Sequence, residues 1–177
     1  MPKYIAFLRA INVGGRRLKM DVLREIFAGI EGLSQVETFI ASGNVIFESA
    51  ISPKTLEPQI EAILGEKLGY KVETFIRSTD DITKIAQYTP FAHYNPESDS
   101  LYIGFLPTTP TDEAISKLQK LTTDSDEFHV HEHELYWLCH KSISESKISG
   151  NKIEKALGMP STLRDISTVK RLSSKYA

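Results

Sequence analysis

The chain has 177 residues, 41% hydrophobic and 25% charged, with a net charge of −2 and a pI near 6.2. Such a composition suits a soluble globular protein of one ordinary domain or two small subdomains, and gives no long-range pull toward nucleic acid or anionic membranes. No apolar run approaches the ~20 residues of a bilayer-spanning helix, the N-terminus lacks a basic segment followed by an apolar one, and the single Cys139 excludes an internal disulfide, so the expected location is the cytoplasm.

Residues 3–10 read as a strand that is apolar on both sides, with Ile5 and Phe7 on one and Tyr4, Ala6 and Leu8 on the other. A strand of this kind is central and covered on both faces. Residues 20–31 read as a helix with Val22, Leu23, Ile26, Phe27 and Ile30 on one stripe and Gly32 as its stop. Strands follow over 36–41 and 44–49, around the small polar turn Ser42-Gly43-Asn44. Thr55 is the expected N-cap of a second helix, which leaves Pro58 harmless in its first turn. Leu56, Ile60, Ile63 and Leu64 form its apolar face, Gly69 closes it, and 71–77 is a fourth strand. Residues 1–78 therefore read β-α-β-β-α-β, the order of a ferredoxin-like α/β plait.

The second expected subdomain is 79–177. Thr79 starts a helix with Asp80 and Asp81 in its favourable first turn, and 88–100 reads as a linker. Leu101–Leu106 is a strand, Thr109-Pro110 supplies an N-cap and an N1 proline, and 127–131 with 135–140 forms a hairpin. Asn151–Leu157 is a short helix, and Ser161 or Thr162 caps a last helix with Leu163, Ile166, Val169 and Leu172 inward. The expected fold is α+β: two ferredoxin-like plait subdomains packed together, the second incomplete or ending in a helix.

Phe7-Leu8-Arg9-Ala10-Ile11-Asn12-Val13-Gly14-Gly15 resembles the opening motif of a bacterial family known as a domain of unknown function, DUF1697. Ser42-Gly43-Asn44-Val45 is similar to that family's second motif, and Thr162-Leu163-Arg164 with Thr168-Val169 to its C-terminal one. The resemblance implies two plait subdomains and no assigned activity. Ala10 stands where the family usually has glycine, and Asp165-Ile166-Ser167 replaces its usual Asn-Trp-Asn.

In a plait the end of strand one, the end of strand two and the start of strand three share one edge. Arg9, Asn12, Gly14, Gly15, Ser42 and Asn44 then gather a guanidinium, two amides, a hydroxyl and glycine N–H groups at one rim. That inventory suits a small anion or a nucleotide phosphate. The competing reading makes Arg9 a structural arginine bonded to turn carbonyls and the glycines plain turn residues. Neither a P-loop nor a dinucleotide fingerprint is present.

His129, His131 and His133 would share one face of a continuous strand, but a turn at Glu132–Glu134 breaks that geometry, so no metal and no cofactor are expected. Residues 141–177 hold eight Lys or Arg against three Asp or Glu, a net +5 that leaves −7 over residues 1–140. A basic segment of this kind can be a nucleic-acid footprint, yet the strand aromatics sit in apolar company and nucleic acid is not the expected partner. The leading expectation is a binding protein for a small anionic or nucleotide-like ligand at the rim. The alternatives are a nucleic-acid module using the basic C-terminal region and a metal-independent enzyme at the same rim, for which no nucleophile–base pair is evident.

Overall fold

The structure is a computed structural model that describes residues 1–12, 15 and 17–177. The described residues form an α+β fold with two four-stranded antiparallel sheets. They divide into two compact units, Met1–Ile82 with Tyr176–Ala177, and Thr83–Lys175.

In the first unit the order is β1 (Lys3–Leu8), α1 (Met20–Ala28), β2 (Ser34–Thr38), β3 (Asn44–Glu48), α2 (Pro53–Leu68) and β4 (Thr74–Ser78), and the sheet runs β2-β3-β1-β4. Strand β1 is central, as its two apolar faces require. Ala6 and Leu8 face Leu23 and Phe27 of α1 and Leu56, Ile60 and Leu64 of α2 in one core with Val45, Phe47 and Ile76. Ile5, Phe7, Ile46 and Phe75 alternate to the opposite face and are buried as well. Removing these side chains from water contributes about 1.5–3 kcal/mol each.

Helix α2 begins earlier than expected. Ser52 is the N-cap and Pro53 the first helical residue, where its fixed φ is pre-organised for a helix. Pro58 therefore lies inside the helix rather than in its first turn. Pro58 and Lys54 are exposed, so the carbonyl that Pro58 cannot serve is open to water. On the far side of α2 lies edge strand β4. Its N–H groups at Thr74 and Ile76 donate to Glu61 and Glu57, both at 2.9 Å. Two carboxylates one helical turn apart thus occupy donors that an open edge would offer to another chain.

In the chain's second half α3 (Thr79–Gln87) leads through a loop to β5 (Ser100–Phe105), α4 (Asp112–Gln119), β6 (Asp126–His131), β7 (Glu134–Cys139), a 3₁₀ turn (Ile143–Glu145), α5 (Gly150–Leu157), β8 (Thr162–Asp165) and α6 (Ile166–Tyr176). The sheet order is β6-β7-β5-β8, so the sheet is complete. The fourth strand lies where the sequence suggested only the cap of a helix. Four residues are too few to show a period, and Leu163 fitted the helical stripe as well as a strand. Gly104 in β5 makes the pairing close: a Cβ there would stand 3.2 Å from Leu135 Cβ and from Leu163 Cδ2. The cap of α4 also differs from expectation. Thr111, not Thr109, accepts from the Ala114 N–H at 3.1 Å, with Asp112 and Glu113 in the favourable first turn. Leu118, Ile153 and Leu157 pack with Phe128, Leu135 and Trp137 in the second core.

Candidate functional site

The rim of the first unit is built by two chain reversals. Leu8 N–H donates to Gly43 O and Phe39 N–H to Asn44 O, which draws the 39–44 turn onto the end of β1. Gly43 is required there: its φ is +85°, and a Cβ would meet Ile11 Cδ1 at 2.8 Å and Leu8 Cβ at 3.2 Å. Asn44 is fully buried and its amide donates to Phe39 O and Ser42 Oγ, both at 2.9 Å. This residue therefore locks the turn from inside.

Asn12 joins the two reversals. Its amide donates to Ala41 O at 2.8 Å, and its carbonyl accepts from Leu18 N–H at 2.8 Å. One side chain thus ties Leu18 to the turn. Two depressions adjoin this link, and both are lined by Asn12 and Ala41. One, of about 470 Å³, is lined by Ala10, Ile11, Asn12, Ile40, Ala41 and Ser42. The other, of about 560 Å³, is lined by Asn12, Gly15, Arg17, Leu18, Lys19 and Ala41. The first contains two non-glycine residues in left-handed backbone, Ala10 at φ 57° and Ile40 at φ 51°. Such conformations cost about 1–3 kcal/mol each, the more so for a β-branched residue. The glycine usual in the resembling family at Ala10 thus fits a backbone requirement.

Arg9 finds a third kind of acceptor. The β1–β4 register continues one residue beyond Leu8–Thr74, so Arg9 stands opposite Glu73. Arg9 N–H donates to Glu73 O at 3.0 Å, and its Nη1 is 3.2 Å from Glu73 Oε2. Sequence points to turn carbonyls or a ligand as the acceptor of Arg9; the structure brings the Glu73 carboxylate to it. Of the other expected site residues, Gly15 and Ser42 are exposed, and Gly14 lies outside the described residues.

A cluster in the second unit was not recognised from the sequence. His93 Nε2 and His140 Nε2 each lie 2.6 Å from Glu127 Oε2, and His140 Nδ1 is 2.9 Å from Asp99 Oδ1. The strand register explains it. Glu127 pairs with Leu138, so His140, two residues on, lies on the same face, while Ser100 opposite Cys139 brings Asp99 beside His140. Asp99, then Glu127, raise the His140 pKa above that of a free imidazole. His93 is the first cause of the lowered Glu127 pKa, ahead of the opposing effect of burial and the further lowering by His140. The Asn95 N–H, and then His140, lower that of Asp99. Glu127 and His140 could have been placed together from the hairpin register. His93 could not, because it comes from the 88–99 loop, which has no period to read.

The histidines that the sequence did single out have other neighbours. His129 Nε2 is 2.8 Å from the Tyr88 hydroxyl, and the His131 ring stacks on Tyr88 at 4.1 Å. His133 follows Glu132, whose φ of 55° forms the expected turn. Among the described residues no helix is long and apolar enough to cross a membrane.

Among solved structures, the chain is similar to the conserved bacterial protein SP0830 from Streptococcus pneumoniae, at 20% identity and a TM-score of 0.76 over 98% of this chain and 97% of that one. That likeness establishes a shared fold. No curated protein matches. Residues 1–136 match the family model described as a protein of unknown function, DUF1697, and the chain belongs to that family.

Proposed function

We propose that this protein binds a small anionic ligand at the rim between the 9–19 segment and the 39–44 turn. The carrying observation is the Asn12 link, which ties Leu18 to Ala41 of the turn and lines two adjoining depressions. Arg17 and Lys19 line the larger depression and are exposed, so they offer positive charge to a phosphate or carboxylate. Gly15 at φ +82° adds backbone that an anion can approach without a side chain intervening. Ser42 adds a hydroxyl. Arg9 contributes field, with its guanidinium held by Glu73. Asn12 and Asn44 act as the frame of the site.

The rim follows from reading each unit as a ferredoxin-like plait, which the sheet orders β2-β3-β1-β4 and β6-β7-β5-β8 support. A cytoplasmic location fits the single, buried, unbridged Cys139. The test is thermal denaturation with inorganic phosphate, citrate and nucleoside phosphates. The wild-type melting temperature should rise with at least one of them, following the logarithm of ligand concentration. In the Arg17→Ala/Lys19→Ala variant the rise should vanish. Equal rises in both proteins would refute the assignment.

A further inference from the structure

We infer that His93, His140 and Glu127 are the protein ligands of a site for a divalent first-row transition ion, with Asp99 as the positioning carboxylate. One donor atom from each of the three ligands lies within 4.8 Å of the others. These donors come from separate places, the 88–99 loop, β6 and the end of β7, so their convergence is a product of the fold and not of sequence adjacency.

The outer contacts have the arrangement that a metal-binding imidazole needs. His140 presents Nδ1 to Asp99, which leaves Nε2 aimed at the cluster. Asp99 is itself fixed: its side chain is 7% exposed, and its Oδ2 accepts from Asn95 N–H at 2.9 Å. A carboxylate that holds the far nitrogen of a ligating histidine sets ring orientation and raises the basicity of the near one. His93 is tilted 32° from His140, with ring centroids 5.6 Å apart, so the two rings flank one space.

Two imidazoles and one carboxylate select zinc, cobalt or nickel over calcium and magnesium, which take oxygen donors. Three protein ligands leave a coordination position for water or a substrate, and the half-exposed His93 places the cluster in reach of solvent. With Glu127 Oε2 only 2.6 Å from each Nε2, the carboxylate must swing outward to admit an ion at about 2.0–2.1 Å from each donor. The flexible Glu127 side chain permits this.

The experiment is calorimetric titration of the full chain with Zn²⁺ and Co²⁺, with the cobalt absorption spectrum as a second readout. One equivalent should bind. His93→Ala, His140→Ala and Glu127→Gln should each weaken binding at least tenfold, and His131→Ala should leave it unchanged. Asp99→Asn should weaken cobalt binding about 10–100-fold and shift the cobalt spectrum, with recovery in Asp99→Glu. Circular dichroism identifies any variant that fails to fold, and Glu127→Gln, a near-isosteric change, keeps the test open in that case. Absence of stoichiometric binding to the wild type would overturn the proposal. So would binding that survives in the folded His93, His140 and Glu127 variants but is lost in His131→Ala. Unchanged cobalt affinity and spectrum in Asp99→Asn would overturn the role given to Asp99.

Discussion

Gly43 and Gly69 both adopt positive φ, at +85° and +81°, but differ in surroundings: Gly43 is pressed by Ile11 and Leu8, whereas nothing lies within 4 Å of a Cβ at Gly69. The backbone penalty is common to both and amounts to about 1–2 kcal/mol. Displacing packed side chains adds about 1–3 kcal/mol at Gly43 alone. Gly43→Ala should therefore lower the urea midpoint well beyond Gly69→Ala, and equal shifts would show that the turn is not tightly seated on β1. Asp126 supplies a second residue-scale prediction. Burial alone would raise its pKa, but donors from Thr123 at 2.7 Å, Ser146 at 2.8 Å and Trp137 at 3.0 Å outweigh this and hold it below the ordinary 3.8. A depressed folded pKa stabilises fully above the unfolded value and loses that contribution as pH falls through the folded one. The wild-type melting temperature should drop below about pH 4. Asp126→Asn should be less stable at pH 7, by about 1–3 kcal/mol, and show a shallower acid decline. Identical pH profiles would contradict this role. The importance of Gly43 and of its neighbour Asn44 was unequally legible. Glycine in a Ser-Gly-Asn turn announces itself, but the burial of Asn44 beside it does not, because a turn asparagine and a buried lock have the same sequence.

At the scale of elements, the edge of β4 makes the clearest prediction. Glu57→Ala and Glu61→Ala each release one strand N–H, at Ile76 and Thr74, and should cost about 1–2 kcal/mol. Hydrogen exchange at those two amides should quicken in the matching variant, and unchanged exchange would show that the carboxylates do not cover the edge. The long periodic elements were readable from sequence: β1 was expected in the sheet centre, and of the expected stripe Leu56, Ile60, Ile63 and Leu64, three residues are buried on α2 and Ile63 is partly buried. Starts and short pieces were not. Thr109 and Thr111 are equally good caps by type, and only the accepted Ala114 N–H separates them. Strand β8 spans four residues, only two repeats of the strand alternation and too few to reveal it, and its place is fixed by pairing with β5 far away in the chain.

The whole molecule has a slight negative charge, with a net +5 after residue 140 against −7 before it. Any affinity for oligonucleotides should accordingly be weak and fall steeply between 50 and 200 mM salt, as filter binding would show; salt-tolerant, sequence-selective binding would contradict this. The rim was legible as a meeting of loops, since the topology brings the ends of β1 and β2 together. The role of each rim residue was not, because the same side chain can frame a depression or serve its contents. The most direct test of the rim assignment is therefore a backbone amide NMR titration with whichever anion stabilises the protein. Shift changes should concentrate at Gly15, Arg17, Leu18, Lys19, Ala41 and Ser42, and fade in Arg17→Ala/Lys19→Ala. Changes centred instead on the basic residues of α6, or none at millimolar anion, would contradict the assignment.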